Sequence, residues 1–199
     1  MQIKALLACL AVATALNVKL SATEFPGVPH GWIASPAVGV QYQAGYDSEM
    51  QAAFLSSQSA SDQLGALTQT VDVQPYLNRH LTLYIEARND GFEGKAEFFL
   101  QAKGGGSTHS TSANIEAKPG VWQKLHIAMG VETANGFKSP LKTLELGVVA
   151  RGKGRIWFRN AALESQSLEA ARKLYEQPIH SKLPDQEAGS ALNNLEFKP

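Results

Sequence analysis

The side chains with the most to offer chemically are Tyr84, Glu86 and Arg88, then Phe99 and Gln101, then Trp122, Lys124 and His126. Within each group these residues fall at every second position, opposed in the same strand to apolar ones, so a pleated strand would turn them all away from a core. Aromatic faces ringed by hydrogen-bond donors and acceptors are the equipment that recognises the apolar side and hydroxyl rim of a pyranose ring. If the three strands are neighbours, the groups form one ligand-binding face. The same pattern also suits a plain solvated sheet in which Arg88 pairs with Glu86 or Glu97 across strands.

Other chemistries find less material. The loop 104–107, Gly-Gly-Gly-Ser, lacks the Lys-Ser/Thr ending and following helix of a phosphate cradle. His30, His80, His109, His126 and His180 are scattered, with no pair at the spacing of zinc ligands. No Gly-x-Ser-x-Gly elbow is present. Glu86, Glu97 and Glu145 have the parity for a shared face and are the best pair-forming carboxylates for glycoside hydrolysis, although any acidic sheet offers as much. The sequence therefore predicts no enzyme and no cofactor. Room remains for a structural calcium near Asp47, Glu49 or Asp90.

The elements that must position these residues are strands. Residues 81–88, LTLYIEAR, alternate cleanly, with Leu81, Leu83, Ile85 and Ala87 facing one way. In 95–103 Phe98 and Leu100 oppose Phe99 and Gln101, and in 121–129 Leu125, Ile127 and Met129 oppose Trp122, Lys124 and His126. Earlier strands are expected over 38–46, 52–57 and 64–71, the last with Leu64, Ala66 or Leu67, and Val71 as core contacts. The segment 72–79, with Pro75 and Tyr76, should bridge one sheet to the other. Residues 108–117 suit an edge strand.

Asn89-Asp90-Gly91 reads as a turn, and Gly152-Lys153-Gly154 reads as the tip of a closing hairpin over 144–163. Trp32, Trp157 and Phe158 are assigned to the core. About nine short strands at the spacing of roughly 8 to 12 residues between turns define an all-β fold, an antiparallel β-sandwich. Ser167 caps a short helix that Pro178 ends, and a polar tail follows.

The chain has 199 residues, 44% hydrophobic and 18% charged, enough for one sizeable core. Lys4, the apolar run 5–18 and the small residues after it have the layout of a secretory signal peptide over 1–22, with cleavage expected after Ala22 rather than Ala15. That run is too short to cross a bilayer of about 30 Å. Cys9, the sole cysteine, lies within it, so the mature chain would have no disulfide and would survive an oxidising compartment by packing alone. Losing Lys4 and Lys19 would leave a slight acidic excess, which provides no basic field for nucleic acid or anionic lipid. The expected layout is a signal peptide (1–22), a lead-in loop (23–30), a sandwich domain (31–164), and a helix with a flexible tail (165–199).

Several short patterns, in order, resemble a known family. They are Gly31-Trp32, Tyr42 with Gly45-Tyr46-Asp47, Ala53-Phe54-Leu55-Ser56-Ser57, Gly65-Ala66-Leu67-Thr68-Gln69, PGVWQKLHIAM and LELGVVARGKGRIWFRNAALE. Together they resemble a bacterial galactose-binding-domain-like jelly roll, similar in architecture to carbohydrate-binding modules and often found beside extracytoplasmic hydrolases and peptidases. The relatives usually carry acids after the aromatic pair, where this chain has Arg159-Asn160. The tail's Asn194-Leu195-Glu196-Phe197 also resembles the Asn-Leu-x-Phe opening of such domains. The resemblance implies a periplasmic or secreted jelly roll that binds carbohydrate without catalysis. The rival implication is a structural module that docks on another envelope protein.

Overall fold

The computed structural model describes residues 28–29, 31–35, 42–59, 63–116, 118–132 and 140–176. The expected signal peptide, the strand start at 38–41, most of the lead-in loop and the tail lie outside the described residues. In chain order the strands are β1 (Ile33–Ser35), β2 (Tyr42–Asp47), β3 (Ala52–Ser57), β4 (Gly65–Asp72), β5 (Arg79–Gly104), β6 (Ser107–Asn114), β7 (Trp122–Val131) and β8 (Thr143–Ser167), followed by helix α1 (Leu168–Glu176).

Two of these strands are long enough to serve in both layers. β5 and β8 run antiparallel along most of their length and also collect different neighbours on either side of a shared bend. Residues 143–153 of β8 and 93–104 of β5 join β1, β4 and β6 in one sheet, in the order β1, β4, β8, β5, β6. Residues 154–167 of β8 and 79–90 of β5 join β2, β3 and β7 in the second, in the order β2, β3, β8, β5, β7. We call them sheet I and sheet II. Every pairing is antiparallel, and the protein is an all-β jelly-roll sandwich with one short helix near its C-terminus.

Both expected turns prove to be corners. Asn89 does not reverse the chain, because its side chain closes a local loop: Oδ1 accepts the Phe92 N–H at 2.6 Å and Nδ2 donates to the Phe92 carbonyl at 3.0 Å. The result is a bulge between Asp90 and Glu93 that sends β5 into the other sheet while Phe92 drops into the core. Opposite it, Gly152 and Gly154 carry β8 round the same bend with φ of 152° and 110°. The closing hairpin over 144–163 is therefore one bent strand, and the strand count falls to eight among the described residues.

Tyr42 fastens this corner. Its hydroxyl accepts the Gly152 N–H at 2.9 Å and donates to the Gly152 carbonyl at 3.1 Å. Tyr42→Phe leaves both buried groups without a partner and should cost about 1–3 kcal/mol. A lower urea midpoint at unchanged m-value would show it.

The core lies between the sheets. Leu81, Leu83, Ile85 and Ala87 meet Phe98, Leu100, Leu144, Leu146, Val148, Ile156, Phe158 and Leu163 there, all nearly inaccessible to water. Trp32 joins this cluster as expected. In β4 the inward set is Gly65, Leu67 and Gln69, so Leu67 is buried while Leu64 stands 44% exposed ahead of the strand. A 3-10 turn at Gln74–Tyr76 carries the chain from sheet I to sheet II, with Val73 and Tyr76 buried as its plug. β6 is an edge strand that pairs with β5 alone.

The Ser167 hydroxyl caps α1 by accepting the Ala170 N–H at 3.1 Å. Ala171 is buried, and Leu168 packs over Gly130, so the helix covers one end of the outer face of sheet II.

Candidate functional site

Register across sheet II builds its outer face row by row. Tyr84 lies between His126 of β7 and Ala162 of β8. Glu86 lies between Lys124 and Arg159. Arg88 lies between Trp122 and Trp157, and that row continues to Phe54 of β3. Asp90 faces Arg155, and that row continues through Ser56 to Gln43 of β2.

Six of the residues singled out in the sequence therefore come together: Tyr84, Glu86, Arg88, Trp122, Lys124 and His126. Phe99 and Gln101 do not. They follow the corner in β5, so they stand on the outer face of sheet I, opposite Gly147 and Glu145. One bulge moves them to the other side of the sandwich.

Specific contacts join Glu86 to Trp122 through Arg159 and Tyr84 to His126. Glu86 accepts from Arg159 Nε at 2.8 Å, and the same guanidinium stacks 4.0 Å above the Trp122 ring. The ion pair thereby reaches from β8 across β5 to an aromatic on β7 and fixes the indole's orientation. Tyr84 and His126 lie ring against ring, with centroids 6.0 Å apart. Arg88 makes no side-chain hydrogen bond or ion pair among the described residues, and its Nε is buried without an acceptor.

Sequence reasoning passed over the other half of the site. Trp157, assigned to the core, is indeed buried, at 4% exposure, yet it points outward like Arg155 and Arg159. It is covered by its neighbours: Phe54 meets it edge-on at 5.5 Å, and Arg155 sits 4.8 Å from the Phe54 ring centroid and 5.1 Å from that of Trp157. Its indole N–H donates to Asp90 Oδ2 at 3.4 Å. Beside it opens a cleft of about 310 Å³ lined by Gln43, Ser56, Ser57, Gln58, Asp90, Gly154 and Arg155. The signal available in the sequence was the alternation of Arg155, Trp157 and Arg159, hidden by reading Gly152-Lys153-Gly154 as a turn.

Of the three carboxylates offered for hydrolysis, only Glu97 and Glu145 share a face. Glu86 belongs to sheet II, whereas Glu97 and Glu145 belong to sheet I, where Glu145 accepts from Gln101 and pairs with Lys103. Asp47, a proposed calcium ligand, accepts the backbone N–H groups of Glu49 and Met50 at 2.9 and 3.0 Å. Among the described residues no three His, Cys, Asp or Glu side chains converge as metal ligands.

No protein-family model and no curated protein sequence matches this chain. Solved structures share its fold. A Stig cyclase from Fischerella sp. TAU, in complex with an indole compound, aligns at TM-score 0.54 with 15% identity, over 71% of this chain and 86% of its own. The enzymatically active domain of a bacteriophage CBA120 tailspike aligns at TM-score 0.51 with 15% identity, over 69% of this chain and 20% of its own. Carbohydrate-binding modules are also among the neighbours, including the mannan-recognising TmCBM27, at TM-score 0.43 with 16% identity over 66% of this chain and 86% of its own. At such identities the first two likenesses show a shared fold and carry no activity with it.

Proposed function

We propose that this chain is an exported, non-catalytic carbohydrate-binding module that presents the outer face of sheet II to its ligand. The observation that carries the reading is the row Trp122, Arg88, Trp157, Phe54, which sets three aromatic side chains and one cation in line across four strands. Glu86, Lys124 and His126 border it with donors and acceptors, and the Gln43, Ser56, Asp90, Arg155 row supplies a polar cleft at one end. Ring faces take the apolar side of a sugar, and fixed polar groups then read its hydroxyls. The outward, half-buried Trp122 is the platform, held by Arg159.

Affinity electrophoresis of the chain against a panel of soluble polysaccharides tests the reading. Trp122→Ala should weaken retention roughly tenfold, about 1.4 kcal/mol, while the protein stays folded. Retention on no polysaccharide, together with specific recovery of an envelope protein by pull-down, would replace this reading with the docking module.

A further inference from the structure

We infer that the ligand is an acidic glycan, and that Arg88 and Arg155 take its carboxylate groups. The inference deepens the carbohydrate reading above and rests on it.

The charges on the outer face of sheet II are unevenly used. Arg159 is matched by Glu86. Arg88, Lys124 and Arg155 have no ion pair among the described residues, although Asp90 lies directly opposite Arg155 in the ladder. Asp90 instead accepts from Trp157, and Glu164 lies on the same face farther toward the helix, opposite Thr82. Around the aromatic row three cations without an ion pair, Arg88, Lys124 and Arg155, therefore stand against two such carboxylates, Asp90 and Glu164, which leaves a net positive charge. The whole sequence has a formal net charge of zero, so this excess is local to the face.

Arg88 is the more telling case. It is partly exposed, it has no ion pair among the described residues, and Trp122 and Trp157 flank it in the ladder. A carboxylate is the group whose two oxygens fit the planar donor fork of such a guanidinium. Arg155 is the diagonal neighbour of Arg88 on the ladder, about 7–8 Å away at Cα, and lines the cleft. Its cation is held above Phe54 and Trp157. A chain of uronic acid residues lying along this face would present a ring face to Trp122 and carboxylates to the two arginines in turn.

The test is affinity electrophoresis and calorimetry with the full chain, using polygalacturonate and alginate, their methyl esters, and neutral xylan and galactan. The expected result is retention by a polyuronate, weakened at least tenfold by esterification and falling as salt is raised. Arg88→Met and Arg155→Gln should each weaken polyuronate binding about tenfold or more. Arg88→Met should melt no lower than the parent, because it removes the unmatched donor and keeps the aliphatic stem. Lys95→Gln, on sheet I, should leave binding unchanged.

Neutral polysaccharide binding that Arg88→Met does not alter would overturn the inference and leave the carbohydrate reading standing. Equal loss on Lys95→Gln would overturn it as general charge attraction. Retention on no polysaccharide of either kind would overturn both.

Discussion

Gly154→Ala should destabilise the fold by about 4 kcal/mol or more, placing it in the far tail of single substitutions. Gly154 has φ of 110°, where a side chain costs on the order of 1–3 kcal/mol in strain. Its new methyl would also strike the carbonyl oxygen of Gly91 and the Cα of Phe92, both backbone atoms of β5. No side chain can swing aside to relieve that overlap. β5 and β8 would have to separate at the bend, and both sheets depend on those two strands. Natural domains hold only about 5–15 kcal/mol in reserve, so the melting temperature should fall by on the order of 10 °C. Thermal unfolding followed by circular dichroism would show it, and a change below about 1 kcal/mol would mean that the strands do not approach so closely at the corner.

That prediction turns on the feature the sequence disguised. Alternation in 81–88, 95–103 and 121–129 gave the inward sets correctly, because each run lies within one sheet and keeps one face toward the core. The sandwich, the edge position of β6, the crossing at Pro75 and Tyr76 and the helix after Ser167 were legible for similar local reasons. Asn-Asp-Gly and Gly-Lys-Gly were not. Their backbone freedom serves a bulge and a bend as readily as a reversal, and only the pairing partner hundreds of atoms away decides which.

Two errors in the site follow from that ambiguity. Counting Phe99 and Gln101 with Tyr84 assumes that outward parity means one face throughout, whereas the corner hands the second half of β5 to the other sheet. Treating Trp157 as core assumes that a large buried aromatic points inward, whereas its burial is supplied from outside by Phe54 and Arg155. No periodicity within 52–57, Ala-Ala-Phe-Leu-Ser-Ser, marks Phe54 as the outward residue. Only the register Phe54 to Trp157 does so.

Trp157→Ala is expected to be the costliest change on the candidate face, because this residue joins the fold to the site. Removing a nearly inaccessible tryptophan should cost about 3–5 kcal/mol. Phe54 loses its edge-on partner, Arg155 loses one of the two rings beneath it, and Asp90 loses the indole N–H. Arg155 and Asp90 both line the cleft, so binding to whatever polysaccharide the chain retains should fall by more than the tenfold expected for Trp122→Ala, even well below the melting temperature. Trp157→Phe separates the two roles. It keeps a ring against Phe54 and Arg155 and drops the hydrogen bond to Asp90, so it should lose about 1 kcal/mol of stability beyond its volume change. If Trp157→Ala instead unfolds within about 1 kcal/mol of the parent and binds equally well, the outward aromatic row is neither a support nor a site.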